Sequence, residues 1–167
     1  IIEIYKTDKK LMIINLYNPC KPLKLETLEN VRIGNGKEIW CGDFNAHNSL
    51  WGSKHTDSNG EVVEDLMDVR KLVCINNGKG TRIDIHSNMV TCIDLTMVSD
   101  SLANSCEWNV EENTSIGSDH YPIIFSVNVK IDVQERPIHK KWMFEKADWE
   151  KFKEICNKSV ESISMKE

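Results

Sequence analysis

Leu11-Met12-Ile13-Ile14-Asn15-Leu16 is an almost unbroken apolar run that stops at Tyr17-Asn18-Pro19. A strand with one wet face alternates apolar and polar residues, whereas a strand covered on both faces does not. This segment therefore belongs inside a sheet with material packed on either side. Ile1 to Lys6 precedes it, and Thr7-Asp8-Lys9-Lys10 supplies a polar turn. Segments 1–6 and 11–17 are expected to pair as a hairpin.

The same patterning continues downstream. A short helical stretch is expected near 23–33, then a strand from Lys37 to Cys41 that ends at Gly42. Asp57-Ser58-Asn59-Gly60 has the composition of a turn and helix cap. Val62, Val63, Leu66, Met67 and Val73 then give the helical spacing of an amphipathic segment over 60–72. Leu72 to Ile75 is a further strand. Thr81 to Ile85 and Val90 to Val98 flank His86-Ser87-Asn88 as a hairpin. Trp108 to Glu111 is a weaker strand, and Tyr121 to Val129 a strong one with Ile123, Phe125, Val127 and Val129 on one face. From residue 132 the character changes. Gln134-Glu135-Arg136-Pro137 is a linker, and Lys140 to Cys156 is charged with aromatic residues interspersed, Asp148 being placed to cap a helix. The sequence divides into a domain at 1–131 and a linker with a helical connector at 132–167.

Three strand ends carry the chemistry. In Gly42-Asp43-Phe44-Asn45-Ala46-His47, Asp43 and Asn45 are two apart and so project from one side of an extended chain, with Phe44 turned to the core. A carboxylate beside an amide suits phosphodiester hydrolysis, the acid orienting or deprotonating water and the amide donating to a phosphoryl oxygen. The same pair also closes strands as an Asx turn, and spacing alone leaves that open. In Gly117-Ser118-Asp119-His120-Tyr121-Pro122, a carboxylate able to hold a hard cation adjoins an imidazole able to donate to phosphate. A surface acid and histidine before a strand would look alike. In Cys92-Ile93-Asp94-Leu95, Asp94 leaves the core face and is placed to reach an imidazole across the sheet, fixing its tautomer; a half-exposed strand acid is the alternative. Tyr17, at a strand exit, presents a phenol to phosphate or caps a core edge.

The net charge of −5 and pI near 5.6 count against static, high-affinity nucleic-acid binding, which rests on phosphate contacts. They count less against a nuclease, whose site needs carboxylates to hold its cation. Six cysteines without a C-x-x-C pair, most of them in apolar surroundings, are expected to be buried free thiols in a reducing compartment, and five dispersed histidines argue against a structural zinc site. No run spans a bilayer and no basic leader precedes the first strand, so no membrane partner is expected.

Taken together, Asn18-Pro19, the Gly-Asp-Phe-Asn-Ala-His run at 42–47, Ile-Asp-Leu at 93–95 and Ser-Asp-His-Tyr-Pro at 118–122 resemble the endonuclease/exonuclease/phosphatase superfamily. Asn45 to Gly52 is similar to the version in jockey-type non-LTR retrotransposon polyproteins, and Lys146-Ala147-Asp148-Trp149 to the connector before their reverse transcriptase. The resemblance implies a DNase I-like, four-layer α/β sandwich of two packed mixed sheets flanked by helices. It implies a DNA endonuclease that nicks its target so that the freed 3′-hydroxyl primes reverse transcription. Asp43 would activate water, Asn45 bind the scissile phosphate, His120 act at the phosphoryl centre oriented by Asp94, and Tyr17 sit beside the phosphate. Asp119 and Asp43 would hold magnesium, or manganese in its place. DNA is the implied substrate, a downstream reverse transcriptase domain the implied neighbour, and the nucleus the implied place of action.

The chain departs from that pattern in two places. The family carries an Asn and a metal-binding Glu in strands ahead of the Tyr-bearing one, and the sequence opens at Ile1 without a Met, so it is expected to lack its first strands and to be weakly active or inactive. The family's small hydroxyl residue two before Ile-Asp is Thr91. A phosphatase or phosphodiesterase acting on lipid or inositol phosphates, and a catalytically incomplete retroelement remnant, are the competing readings.

Overall fold

The computed structural model describes residues 1–6, 9–31, 36–114, 117–128 and 144–164. Two compact units divide the chain, residues 1–132 and 133–167. In the first, β1 (Ile2–Lys6) and β2 (Lys9–Tyr17) form the expected hairpin, with Lys9 and Lys10 drawn from the turn into β2. Helix α1 is limited to Leu25–Glu29, shorter than expected: Lys24 at its N-cap makes no side-chain hydrogen bond, and Asn30 closes it.

Strand β3 (Lys37–Asp43) runs two residues past the expected end. A 3-10 turn at Ser49–Trp51 leads to α2 (Ser58–Arg70), whose N-cap Asp57 accepts a hydrogen bond from Gly60 N at 2.7 Å. The helix starts and stops two residues before the expected bounds. Lys71 adopts a left-handed turn at φ 54°, and Leu72 passes into β4 (Leu72–Cys74). The expected 81–85/90–98 hairpin is split. A two-rung ladder joins β5 (Arg82–Ile83) to β6 (Val90–Thr91), and the chain then leaves it to enter β7 (Asp94–Ser99) in another sheet. The break has a local cause: the Thr81 hydroxyl accepts hydrogen bonds from Ile93 N at 3.1 Å and Asp94 N at 3.0 Å, tying up the amides between the two strands. A short helix α3 (Asp100–Ala103) leads to the antiparallel ribbon of β8 (Cys106–Val110) and β9 (Ile123–Val127). Val129 and Trp142 lie outside the described residues.

The main sheet is mixed, in the order β1-β2-β3-β7-β4, with β2 and β3 parallel and the other pairs antiparallel. Consecutive residues of β3 are buried on opposite faces. Trp40 joins Met12, Ile14, Phe44, Leu66 and Met97, while Ile39 joins Val98 and Leu102 with Phe125 and Val127 packed against them. One face is thus covered by α1 and α2 and the other by the β8–β9 ribbon, which accounts for the missing alternation in Leu11–Leu16. Each large side chain removed from water contributes roughly 1.5–3 kcal/mol. This is the α/β architecture expected, with sheets flanked by helices.

The expectation of buried thiols holds fully for Cys92 and in part for Cys41, Cys74 and Cys106, and fails for Cys20 and Cys156, which are exposed outside the main sheet; all six are free thiols. In the second unit α4 (Trp149–Ser164) starts at Asp148, whose Oδ1 accepts from Lys151 N at 2.9 Å.

Candidate active site

The register of the main sheet sets Tyr17, Asp43 and Asp94 in one row across three neighbouring strands: Tyr17 pairs with Asp43, and Asp43 with Asp94. A glycine is required just before this row. Gly42 has φ +127°, and a Cβ there would lie 2.0 Å from Leu16 O. Beyond the row the backbone turns sharply, with Asn45 at φ +45°. Asn18, buried, holds the strand exits together: its N–H donates to Asp43 O at 2.8 Å and its Nδ2 to Phe44 O at 3.0 Å.

Asp43 and Asn45 face the same side, as their spacing predicts. Asn45 N donates to Asp43 Oδ1 at 3.0 Å, so the Asx turn that spacing left open is formed, and formed inside the cleft. Asn45 Nδ2 donates to Asn18 O at 2.7 Å and to Asp43 Oδ2 at 3.0 Å. Both amide hydrogens are thereby engaged, so contact with a phosphate oxygen means exchanging one of these bonds.

His120 comes in from the other end of the chain. Its Nδ1 lies 3.0 and 2.9 Å from the Asp94 oxygens, and Thr81 Oγ1 donates to Asp94 Oδ2 at 2.7 Å. Asp94 can therefore orient the ring from behind. The segment around His120 is stitched to β5 by Ile83 N to Asp119 O (2.8 Å), Tyr121 N to Thr81 O (2.7 Å) and a bridge between Arg82 and His120. The adjacent Asp119 is tied to Arg82, whose Nε donates to its Oδ2 at 2.8 Å and leaves Oδ1 outside that bond. An open cleft of about 290 Å³ is lined by Tyr17, Pro19, Cys20, Asp43, Asn45, Arg82 and His120.

Two of these residues were not singled out by sequence reasoning. Arg82 is a lone basic residue in a two-residue strand, and only its placement beside Asp119 and in the cleft marks it. Thr81, fully buried, supplies the hydroxyl that supports Asp94. The hydroxyl residue picked out by position, Thr91, instead pairs with Arg82 through the backbone of the β5–β6 ladder.

Electrostatics separate the acids. Burial pushes the Asp43 carboxyl above its ordinary value; the Asn45 N–H opposes this, the Asp94 charge adds to it, and His120 and Arg82 oppose it. The Arg82 hydrogen bond holds Asp119 below its ordinary value, and Asp119 in turn raises Arg82. Asp43, Asp94 and His120 each offer a ligand atom within 4.8 Å of the others. Hard carboxylate oxygens on an open cleft fit a magnesium-like ion, which takes one or two carboxylates and keeps several waters. Asp94 already serves His120 and Thr81, which leaves Asp43 as the better placed carboxylate of the cluster.

The family model described as endonuclease-reverse transcriptase matches residues 11–124. Among solved structures, the endonuclease domain of TRAS1, a telomere-specific non-LTR retrotransposon, is similar with a TM-score of 0.62 at 22% identity, over 77% of this chain and 62% of that one. An AP endonuclease from Archaeoglobus fulgidus gives 0.54 at 18% identity over 71% and 62%, and the catalytic domain of Xenopus laevis APE2 gives 0.55 at 17% over 80% and 55%. These likenesses establish a shared fold, and the chain spans just under two thirds of the first two. No protein with a curated description matches by sequence. Among the described residues no helix is long and apolar enough to cross a membrane.

Proposed function

The chain belongs to the endonuclease-reverse transcriptase family of the endonuclease/exonuclease/phosphatase superfamily, and from that membership we propose that it is the phosphodiester-cleaving part of a retroelement protein, nicking DNA to expose a primer for reverse transcription. The observation that carries the reading is the meeting of Asp43, Asn45 and the Asp94–His120 pair at one cleft. Asp43, kept partly from water, orients the attacking water and takes its proton. Asn45 fixes the rotamer of Asp43 and exchanges one amide bond for a phosphoryl oxygen. His120 carries its Nδ1 proton towards Asp94 and, as the imidazolium, donates from Nε2 to a phosphoryl oxygen. Tyr17, exposed at the rim, hydrogen-bonds the phosphate with its phenol.

Asp43 would hold the divalent ion, joined by Asp119 through the oxygen that Arg82 does not occupy. Magnesium, or manganese in its place, supplies positive charge to the phosphate oxygens when bound. A reverse transcriptase domain following the connector, and action on DNA in the nucleus, complete the proposal.

Nicking of supercoiled plasmid tests it. The chain is expected to open the plasmid only with magnesium, to lose that activity with a chelator, and to lose it in Asp43→Ala and in His120→Ala. Parent activity that survives either substitution would refute the assignment. Hydrolysis of inositol phosphates but not plasmid would move the chain to the phosphatases of the same fold.

A further inference from the structure

We propose that His47, His55 and Asp57 form a second metal site, for a transition-metal dication of the zinc class, that braces the loop between β3 and α2. The two imidazoles and the carboxylate each present a ligand atom within 4.8 Å of the others. The rings of His47 and His55 stack at 4.7 Å between centroids, 27° from parallel. The dispersal of the histidines along the sequence argues against a zinc site, and the proposal runs counter to that expectation because the fold gathers two of them. His47 and His55 are eight residues apart, and a loop containing the 3-10 turn folds them together.

The frame is built before any ion arrives. His47 N donates to Asp57 Oδ1 at 3.1 Å, and Asp57 N donates back to His47 O at 3.0 Å. Gly60 N also donates to Asp57 Oδ1, at 2.7 Å, and a Cβ on Gly60 would stand 1.9 Å from His47 O. His47 and Asp57 are thus locked to one another and to the first turn of α2. Among the described residues the hydrogen bonds to the Asp57 carboxylate fall on Oδ1, so an ion would be held through Oδ2. The exposed His55 completes the set from two residues away.

The surroundings suit an ion that keeps water. A cavity of about 180 Å³ has His47, Ser53, Lys54, His55, Thr91 and Cys92 among its lining residues. The Ser53 hydroxyl is shut off from solvent and has no hydrogen-bond partner among the described residues, so a water carried on the ion would satisfy it. Cys92 is an unsuitable ligand, because burial raises its thiol and Asn76 Nδ2 already donates to its Sγ. Two imidazoles and one carboxylate favour zinc, nickel or copper over magnesium, which prefers oxygen ligands and water. The site therefore does not compete for the ion of the cleft. Its consequence for the cleft is mechanical: Asn59 on the first turn of α2 donates to Asn45 O at 3.1 Å, so clamping this turn steadies the Asp43–Asn45 bend.

Zinc titration of the full chain, with cobalt as a spectroscopic substitute, decides the matter. One equivalent of zinc should bind, raise the unfolding midpoint, and persist in the presence of excess magnesium. Affinity should fall at least about tenfold in His55→Gln, since loss of even an outer partner of a metal ligand costs that much, and should be unchanged in Asp43→Asn. His55 is exposed, so its substitution leaves folding intact. Cobalt should give ligand-field absorption without a thiolate charge-transfer band. Unaltered zinc affinity in His55→Gln, loss of binding in Asp43→Asn, or a thiolate band would each overturn the proposal.

Discussion

The Nδ1 atom of His120 contacts both carboxylate oxygens of Asp94, at 3.0 and 2.9 Å, although the two residues are 26 apart in the chain. Thr81, whose hydroxyl is buried, supports the same carboxylate from the other side at 2.7 Å. Asp94→Asn is expected to leave the fold intact and to lower the nicking rate by roughly 10²–10³, the usual loss when one preorganised electrostatic partner is removed. Asp94→Ala should in addition lower unfolding free energy by about 1–3 kcal/mol, because Thr81 is left with a buried donor and no acceptor. Single-turnover nicking and urea unfolding of the two variants separate these effects.

Arg82 joins the cleft to Asp119. Its Nε makes the bond to Asp119, a side-on geometry that a lysine ammonium does not reproduce. Arg82→Lys and Arg82→Ala are therefore both expected to reduce nicking, by roughly 10- to 100-fold, the loss usual for an outer partner of a metal-binding carboxylate, the role proposed for Asp119. A magnesium titration of activity provides the check: the variants should need more magnesium, and an unchanged requirement would refute the coupling.

Because burial raises the Asp43 carboxyl above 3.8, the folded chain binds more protons than the unfolded chain between that value and the raised one. Stability contributed at this position falls as pH rises through that window, and the loss persists above it. Asp43→Asn removes the titration. The stability of the parent relative to this variant should decline with rising pH across the window, in urea unfolding run in metal-free buffer. A difference that is flat or that grows with pH would contradict the burial argument.

Arg70 closes a cluster remote from the cleft. It pairs with Glu38 at 3.2 Å, with both side chains under 15% exposed, and donates to Leu28 O and Glu29 O in the last turn of α1 and to Val31 O just beyond it. It also lies 5.3 Å from the Trp40 ring centroid, while Trp40 Nε1 donates to Glu38. Arg70→Met should cost about 3–5 kcal/mol, because it strands a buried carboxylate. Nicking per folded molecule should stay at the parent level. Chemical unfolding and activity at matched folded fractions measure both.

The strand-ending motifs were legible because each joins an apolar run to a short polar cluster, and local rules fix which side chains share a side. Asp43 and Asn45 meet through the Asx turn at Asn45, where the chain is no longer extended. That Asp94 leaves the core face followed from the two-residue period alone. The row of Tyr17, Asp43 and Asp94 did not, since it depends on which strands pair and in what register. Arg82 and Thr81 were silent because neither belongs to a local pattern; a bridge to a segment nearly forty residues on gives Arg82 its partner. The split after Thr91 was hidden for a related reason, as a buried hydroxyl thirteen residues from Asp94 interrupts a sequence that is continuous in β propensity. The pairing of His47 with His55 lies in the same class.

The row of strand ends also sets a timetable. Asp43 leaves the ribosome 77 residues before His120, which at roughly 5–20 residues per second is an interval of about 4 to 15 s. During that time β3 and its acid exist without the imidazole that completes them, and β7 still has to insert beside β3. A nascent chain of this kind reaches the end of its main sheet before it possesses a working cleft. Synthesis itself would thus postpone the proposed chemistry until Asp94 and His120 have both emerged.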